Sequence, residues 1–401
     1  VTETASPLPR LGIVLSHPTQ YYSPWFQWLK ARTPLEFRVF YLWNFGVTVQ
    51  RDPRFQTAFR WDVDLLSGYD HEFVPNRSAH PGPERFGGFD NPTLGRRLSD
   101  WRPGAILLYG YKWRTHVGAI AWARRRRVPV LFRGDSHLIG RPAPRLAARI
   151  LLRLLFGQFA ACLCVGKANR EYFKAFGVPD RKLVFAPHSV NRELFEPSNP
   201  ATVPEAAALR LQLGLAPATR VVLFAGKLNP AKQPRELLSA FLGLNRRDAA
   251  LVFVGDGEEK EALRALAAGA PAGAVHFLPF ANQTEMPSRY ALADLFALPS
   301  KGLYETWGLA VNEAMHMGVP ALVSDRVGCQ RDLVDDGETG WVFRAEDPAD
   351  LRRQLGRALD TLGDESGRAR IKAAAIERIS HYTYEQTTSG LLDALAALNP
   401  A

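Results

Sequence analysis

Two carboxylates bracket the segment Glu305-Thr-Trp-Gly-Leu-Ala-Val-Asn-Glu313, with seven residues between them. The segment follows an apolar run, Leu295-Phe-Ala-Leu298, and leads into a predicted helix over 309–317. A helix N-terminus leaves its first amides unpaired and carries the positive end of the helix dipole, so it receives anions. The amides of Thr306, Trp307, Gly308 and Leu309 would serve a diphosphate there, and Glu305 and Glu313 would accept hydrogen bonds from sugar hydroxyls beside it. The bland alternative is a solvated Glu313 and a Glu305 that only complements the dipole. A second constellation lies upstream in Phe224-Ala-Gly-Lys-Leu-Asn-Pro-Ala-Lys232. Gly226 permits a sharp turn after a strand. Lys227 and Lys232 can then reach one diphosphate, where ammonium groups stabilise a leaving group that gains charge. Taken alone, this segment reads as two solvated loop lysines.

Such groups need a scaffold, and the pattern of apolar runs supplies one. The first half contains Leu11–Leu15, Phe37–Tyr41, 105–109, 128–132, 160–165 and 182–185. The second half contains 220–224, 250–254, 274–278, 295–298, 320–323 and 340–343. Near-continuous apolar strands separated by helices predict parallel sheets covered on both faces. Six strands, a break and six more predict an α/β chain of two doubly wound domains. The break is the proline-rich Glu196-Pro-Ser-Asn-Pro-Ala-Thr-Val-Pro204, read as a linker. Residues 44–91 show no clean periodicity and read as a long irregular insertion. Ligands of doubly wound sheets bind beyond the carboxyl ends of the strands, so both motifs should face one cleft.

Composition narrows the partners. With 46% hydrophobic and 22% charged residues the chain is an ordinary globular protein. The net charge of +10 suits anionic ligands such as nucleotide-sugars, anionic lipids or nucleic acid, although basic proteins can also be merely soluble. Three cysteines argue against a disulfide framework. Cys162 and Cys164 lie in a strand pattern, where burial is favoured over metal ligation. The first ten residues are polar and contain proline, unlike a secretory signal, and no run approaches a membrane span. A cytoplasmic protein is expected, with peripheral contact at the inner membrane face as an option. That option rests on Arg145, Arg149 and Arg153, repeated among leucines near Arg124–Arg127. The favoured reading is a surface helix that packs its leucines on the sheet.

In their order, these pieces resemble the retaining glycosyltransferases of family GT4, which have the GT-B fold of two Rossmann-like domains facing across a cleft. The resemblance rests on G-K-L-N-P-A-K at 226–232, where the family usually shows G-R-L, and on Leu251-Val-Phe-Val-Gly-Asp-Gly257. It continues through Val275-His-Phe-Leu-Pro-Phe280, Tyr290–Ser300, E-T-W-G-L-A-V-N-E-A-M, Gly318-Val-Pro320 and Val334–Trp341. It is strong over residues 160–345. It implies an acceptor-side domain at 1–198, completed by a C-terminal helix at 384–401, and a nucleotide-sugar domain at 205–383. Glu313 would bind ribose hydroxyls and Glu305 the donor sugar. Lys227, Lys232 and the amides near Gly308 and Leu309 would bind the diphosphate, and the loop at Pro279 and Phe280 would hold the base. Asp135 or His137, in Phe132-Arg-Gly-Asp-Ser-His-Leu138, would face the donor sugar, unless Arg133 pairs with Asp135 for structure alone. His17, Gln20, Tyr21 and Tyr111 are acceptor or cleft candidates, with packing the alternative role for His17.

The resemblance further implies transfer to an acceptor hydroxyl of a glycan, lipid-linked or small molecule. Configuration would be retained, with a donor phosphate oxygen as base. No metal, other cofactor or nucleic-acid partner is expected. Asp62-Val-Asp64 imitates a D-x-D metal motif but sits in the irregular stretch and reads as a chance match. A glycan phosphorylase of the same fold, or a basic nucleic-acid-binding protein, are the alternatives.

Overall fold

Apolar five-residue strands that alternate with helices fold here into two parallel sheets, seen in a computed structural model that describes residues 8–48, 50–52, 57–302 and 305–398. The first half supplies β1 (Leu11–Leu15), β2 (Phe37–Tyr41), β3 (Gln50–Asp52), β4 (Thr57–Phe59) and β5 (His71–Phe73). It continues with β6 (Ala105–Tyr109), β7 (Val130–Arg133), β8 (Ala161–Cys164) and β9 (Leu183–Phe185). The second half supplies β10 (Arg220–Ala225), β11 (Ala249–Val254), β12 (Val275–Leu278), β13 (Leu295–Leu298), β14 (Ala321–Ser324) and β15 (Gly340–Phe343). Among the described residues, one sheet runs β5-β2-β1-β6-β7-β8-β9 and the other β12-β11-β10-β13-β14-β15. All pairings within both are parallel. The central strands β1 and β10 register Leu11 against Phe37 and Ala105, and Val222 against Leu251 and Leu295.

Residues 44–91 are less irregular than expected. They hold the antiparallel pair β3–β4 and the edge strand β5. Each is three residues long. β5 reads His-Glu-Phe, half-buried throughout, with no apolar run to announce it. The predicted linker is also shorter than expected. The helix Thr202–Gln212 begins inside it, with Pro204 in the first turn, where a missing N–H costs nothing. The first seven residues, which carry most of the polar start, lie outside the described residues.

Both faces of both sheets are covered. One core layer of the first sheet joins Leu11, Ile13 and Leu107 to Trp25 and Phe26. That layer includes Tyr384, Leu391, Ala394 and Leu395 of the last helix, Tyr384–Ala396. Thr388 of this helix accepts a 3.0 Å hydrogen bond from Trp25 Nε1, which ties it to the first domain. Opposite lies a layer of Phe132, Phe156, Phe159 and Phe173, with the buried, unpaired Cys162 and Cys164. One core layer of the second sheet takes in Val165, Val190 and Phe195 from the first half. Asp332 adds a polar tie there: its buried carboxylate accepts the Lys167 amide at 3.0 Å and the Tyr382 hydroxyl at 3.2 Å.

The helix Leu146–Gly157 departs from the favoured reading. Phe156 is buried and Leu152 and Leu155 pack on the sheet, but Leu146, Ile150, Leu151 and Leu154 face solvent. No helix among the described residues is long and apolar enough to cross a membrane.

Candidate active site

The carboxyl ends of the two sheets face one cleft of about 450 Å³. Its floor on the second-domain side is backbone. Gly226 and Gly255 follow β10 and β11 with φ of 145° and 140°. A Cβ added at Gly255 would lie 2.0 Å from the Gly226 carbonyl oxygen, so the two turns touch main chain to main chain. That approach frees the space in which Lys227 and Lys232 line the cleft. Gly255→Ala should therefore destabilise the fold by about 3 kcal/mol, combining strain at positive φ with overpacking, as thermal denaturation would report.

Lys232 Nζ sits 2.5 Å from Glu305 Oε2, and both side chains are largely shielded. Glu305 thus does not face solvent as a simple dipole partner. Beyond it, Gly308 at φ 102° caps the helix Leu309–His316. Gly308, Leu309 and Ala310 line the cleft, where an α-helix leaves its first-turn amides unpaired. Thr306 and Trp307 also line it. Trp307 is buried and donates through Nε1 to Asn312 Oδ1 at 2.8 Å, which ties the loop to its own helix.

Glu313 is buried at the cleft wall rather than solvated. Its Oε2 accepts from the Tyr290 hydroxyl at 2.7 Å and its Oε1 from Gln283 Nε2 at 3.1 Å. Burial raises its pKa, against the hydrogen bonds from Tyr290, Gln283 and Tyr21, which lower it. Tyr21 belongs to the first domain, so this carboxylate meets both halves of the cleft. A carboxylate has about four lone-pair sites, so room remains for a ligand hydroxyl. Phe280, Ala281 and Met286 form an apolar wall nearby, whereas Pro279 does not line the cleft.

From the first domain come His17, Gln20, Tyr21, Tyr22, Asp135 and His188. His17 shares both expected roles: it lines the cleft, and its ring packs edge-on to Phe45 at 5.4 Å and lies 3.0 Å from Ser16 Oγ. Burial lowers its pKa to about 4. Asp135 reaches across to accept from Thr306 Oγ1 at 2.7 Å. Its carboxylate also lies 3.9 Å from His188 Nε2, an ion-pair rather than a hydrogen-bond separation. Burial alone would raise the Asp135 pKa, but His188 and Thr306 hold it at about 2. Its side chain remains 43% exposed toward the cleft, so screening by solvent tempers that shift. Burial lowers the His188 pKa below its ordinary value, against the neighbouring Asp135 carboxylate, which raises it.

Of the two loop candidates, Asp135 lines the cleft and His137 does not. His137 is buried inside the loop, where its Nδ1 accepts the Ile139 amide at 3.2 Å. Arg133 does not pair with Asp135; its guanidinium donates to the Ala186 and Pro187 carbonyls at 2.7 and 3.0 Å. Tyr111 lines a second cavity of about 410 Å³ within the first domain, which meets the main cleft at Tyr22, Asp135 and His188. His188 and Gln283 stand outside the motifs, and Tyr290, which opens one of them, carries no site role in the sequence reading; all three act through contacts across the chain.

The D-x-D imitation has a structural use. The Asp62 carboxylate accepts the Thr284 amide at 3.2 Å and bridges the two domains, while Asp64 Oδ1 accepts the Leu66 and Ser67 amides at 3.0 and 3.1 Å. Among the described residues, no group of three or more His, Cys, Asp or Glu gathers to hold a metal ion.

Two parallel-sheet Rossmann-like domains across a cleft define the GT-B class. The profile of the glycosyl transferases group 1 family matches residues 207–378. The D-inositol 3-phosphate glycosyltransferase of Frankia alni is 34% identical over 320 residues, covering 74% of this chain and 75% of that protein. Its namesake from Nocardia farcinica is 29% identical over 248 residues, covering 57% of this chain but only 50% of that protein. Among solved structures, Anabaena HepE in complex with UDP and glucose superposes with a TM-score of 0.71 at 17% identity, covering 97% of this chain and 100% of that one. The chain belongs to the group 1 glycosyl transferases, of GT4 type.

Proposed function

We propose that this protein transfers a sugar from a nucleotide-diphosphate sugar to an acceptor hydroxyl, with retained configuration and without a metal. The observation that carries the reading is the convergence of Lys227, Lys232, the Gly308 helix end, Glu305 and Glu313 on one cleft. The complex of HepE with UDP and glucose supports a nucleotide donor for this fold. The bond from the anomeric carbon to the diphosphate breaks, and its electron pair leaves on the diphosphate. Lys227, Lys232 and the amides of Leu309 and Ala310 stabilise that charge. The acceptor oxygen attacks from the same face and passes its proton to a diphosphate oxygen, so no side chain is assigned as general base. Glu313 receives the ribose hydroxyls, Phe280 borders the base, and Glu305 and Asp135 contact the donor sugar. The acceptor enters from the first domain, past Tyr22 and His188. The reading extends to a cytoplasmic location, where three unpaired cysteines persist reduced.

A panel of nucleotide-sugars in a thermal-shift assay tests the donor, because a ligand that binds only the folded state raises Tm by mass action. The proposal expects at least one nucleotide-diphosphate sugar to do so; no response across the panel would count against it. With donor and acceptor in hand, EDTA should leave turnover unchanged. Loss of activity that Mn²⁺ restores would overturn the metal-independent mechanism.

A further inference from the structure

The helix Leu146–Gly157 leaves an unpartnered apolar row. Leu146, Ile150 and Leu154 repeat every four residues and are 71%, 53% and 64% exposed, with Leu151 beside them at 67%. Isolated exposed leucines need no explanation, but four on one short helix form a patch. One position before each of the first three stand Arg145, Arg149 and Arg153, which form the adjoining row. No ion pair among the described residues engages these three arginines.

Charge identifies the occupant. Residues 101–170 hold fourteen lysines and arginines and a single acid, Asp135. That stretch more than accounts for the chain's net charge of +10. It includes the exposed Arg124–Arg127, at the end of the helix Arg114–Arg126, which covers the same face of the sheet. A protein partner or a second copy would need a matching acidic rim around an apolar groove. A bilayer with anionic headgroups offers apolar depth and distributed negative charge to any such surface. The helix has 12 residues, too short to span but suited to lie in the interface while its arginines extend to the headgroups.

We infer that the helix Leu146–Gly157 docks this face of the first domain on an anionic lipid bilayer. The inference does not depend on the glycosyl-transfer reading. Its test is flotation of the intact chain with vesicles of phosphatidylcholine alone or mixed equally with phosphatidylglycerol. The chain should float with the anionic vesicles only, and less so in high salt. The double variant Arg149→Ala/Arg153→Ala should weaken binding on the order of 30-fold. Ile150→Ser/Leu151→Ser/Leu154→Ser should abolish it with an unchanged Tm, because the lost side chains touch solvent. Absence of binding to anionic vesicles overturns the inference, as does binding that survives the serine variant. A concentration-dependent dimer in sedimentation, lost in that variant while vesicles stay unbound, would instead make a second copy the occupant and also overturn it.

Discussion

Glu313→Ala should severely weaken nucleotide-sugar binding in titration calorimetry. The argument begins with burial. This carboxylate lies in the cleft wall, held by Tyr290, Gln283 and Tyr21, and in the proposed function its remaining lone pair receives a ribose hydroxyl. A hydrogen bond to an ionised acceptor contributes about 1.5 to 3 kcal/mol, so its loss weakens binding by roughly ten- to a hundredfold. The alanine also leaves the Tyr290 hydroxyl and the Gln283 amide without their buried acceptor, which loosens the wall itself. Glu313→Gln keeps the shape and removes the charge, and should fall between. A pH dependence follows with a definite sign. Burial raises the Glu313 pKa above that of a free glutamate, so the carboxylate protonates earlier as pH falls. Donor affinity should therefore decline on the acid side, beginning above pH 4.5, and Glu313→Gln should remove that decline. Unchanged affinity in the alanine variant would sink the assignment of this residue to the donor.

Twelve of the fifteen strands among the described residues were legible because a strand covered on both faces must be a continuous apolar run. Leu11–Leu15, Phe37–Tyr41 and Leu295–Leu298 start and end where the pattern does. The exceptions are physical rather than accidental. β5 is a three-residue edge strand whose half-buried His-Glu-Phe needs only one neighbour, β2, so its sequence carries no burial signal. The lysine loop and the Glu305–Glu313 segment were legible because each follows a strand end closely, Lys232 seven residues after Ala225 and Glu313 fifteen after Leu298. His188 was not. It matters only because the loop after β9 brings it 3.9 Å from Asp135 and 5.6 Å from the Trp307 ring. Gln283 and Tyr290 likewise count only as partners of a carboxylate on another helix. The helix Leu146–Gly157 shows a different limit. Leucines at helical spacing announce an apolar stripe, but the same period serves a sheet-facing and an outward-facing stripe.

The cleft's residues also bear on each other across the domains. Thr306 donates to Asp135, Asn312 donates to the His188 carbonyl, and Tyr21 approaches Glu313. Each link joins an element of the second domain to one of the first. The helix Leu309–His316 and the loop before it therefore carry contacts that join the second domain to the first. Gly226, Gly255 and Gly308, all at positive φ, build the floor of this cleft. A Cβ at Gly255 would strike the Gly226 carbonyl oxygen at 2.0 Å, one at Gly308 would press on Leu298 and Val327 at 3.1 Å, and one at Gly226 would touch the Lys232 stem at 3.4 Å.

Lys232→Ala should lower kcat by about 10² to 10³, the cost of removing one pre-aimed donor from a developing oxyanion. The ammonium lies 2.5 Å from Glu305 Oε2 and packs its stem against Gly226, so it arrives already oriented. Removing it has a second effect. Glu305, with a side chain 14% exposed, would keep a negative charge beside the diphosphate with no partner. Donor affinity should fall as well, because like charges repel strongly where water is scarce. The two effects separate in a double-mutant cycle. Lys232→Ala/Glu305→Ala should recover donor affinity relative to Lys232→Ala, since the repulsion is gone, yet leave kcat low, since the donor to the leaving group is still missing. Lys232→Arg, which restores the charge with different geometry, should regain part of kcat. A Lys232→Ala enzyme whose kcat stays within tenfold of the parent would show that Lys227 and the helix amides stabilise the leaving group without it.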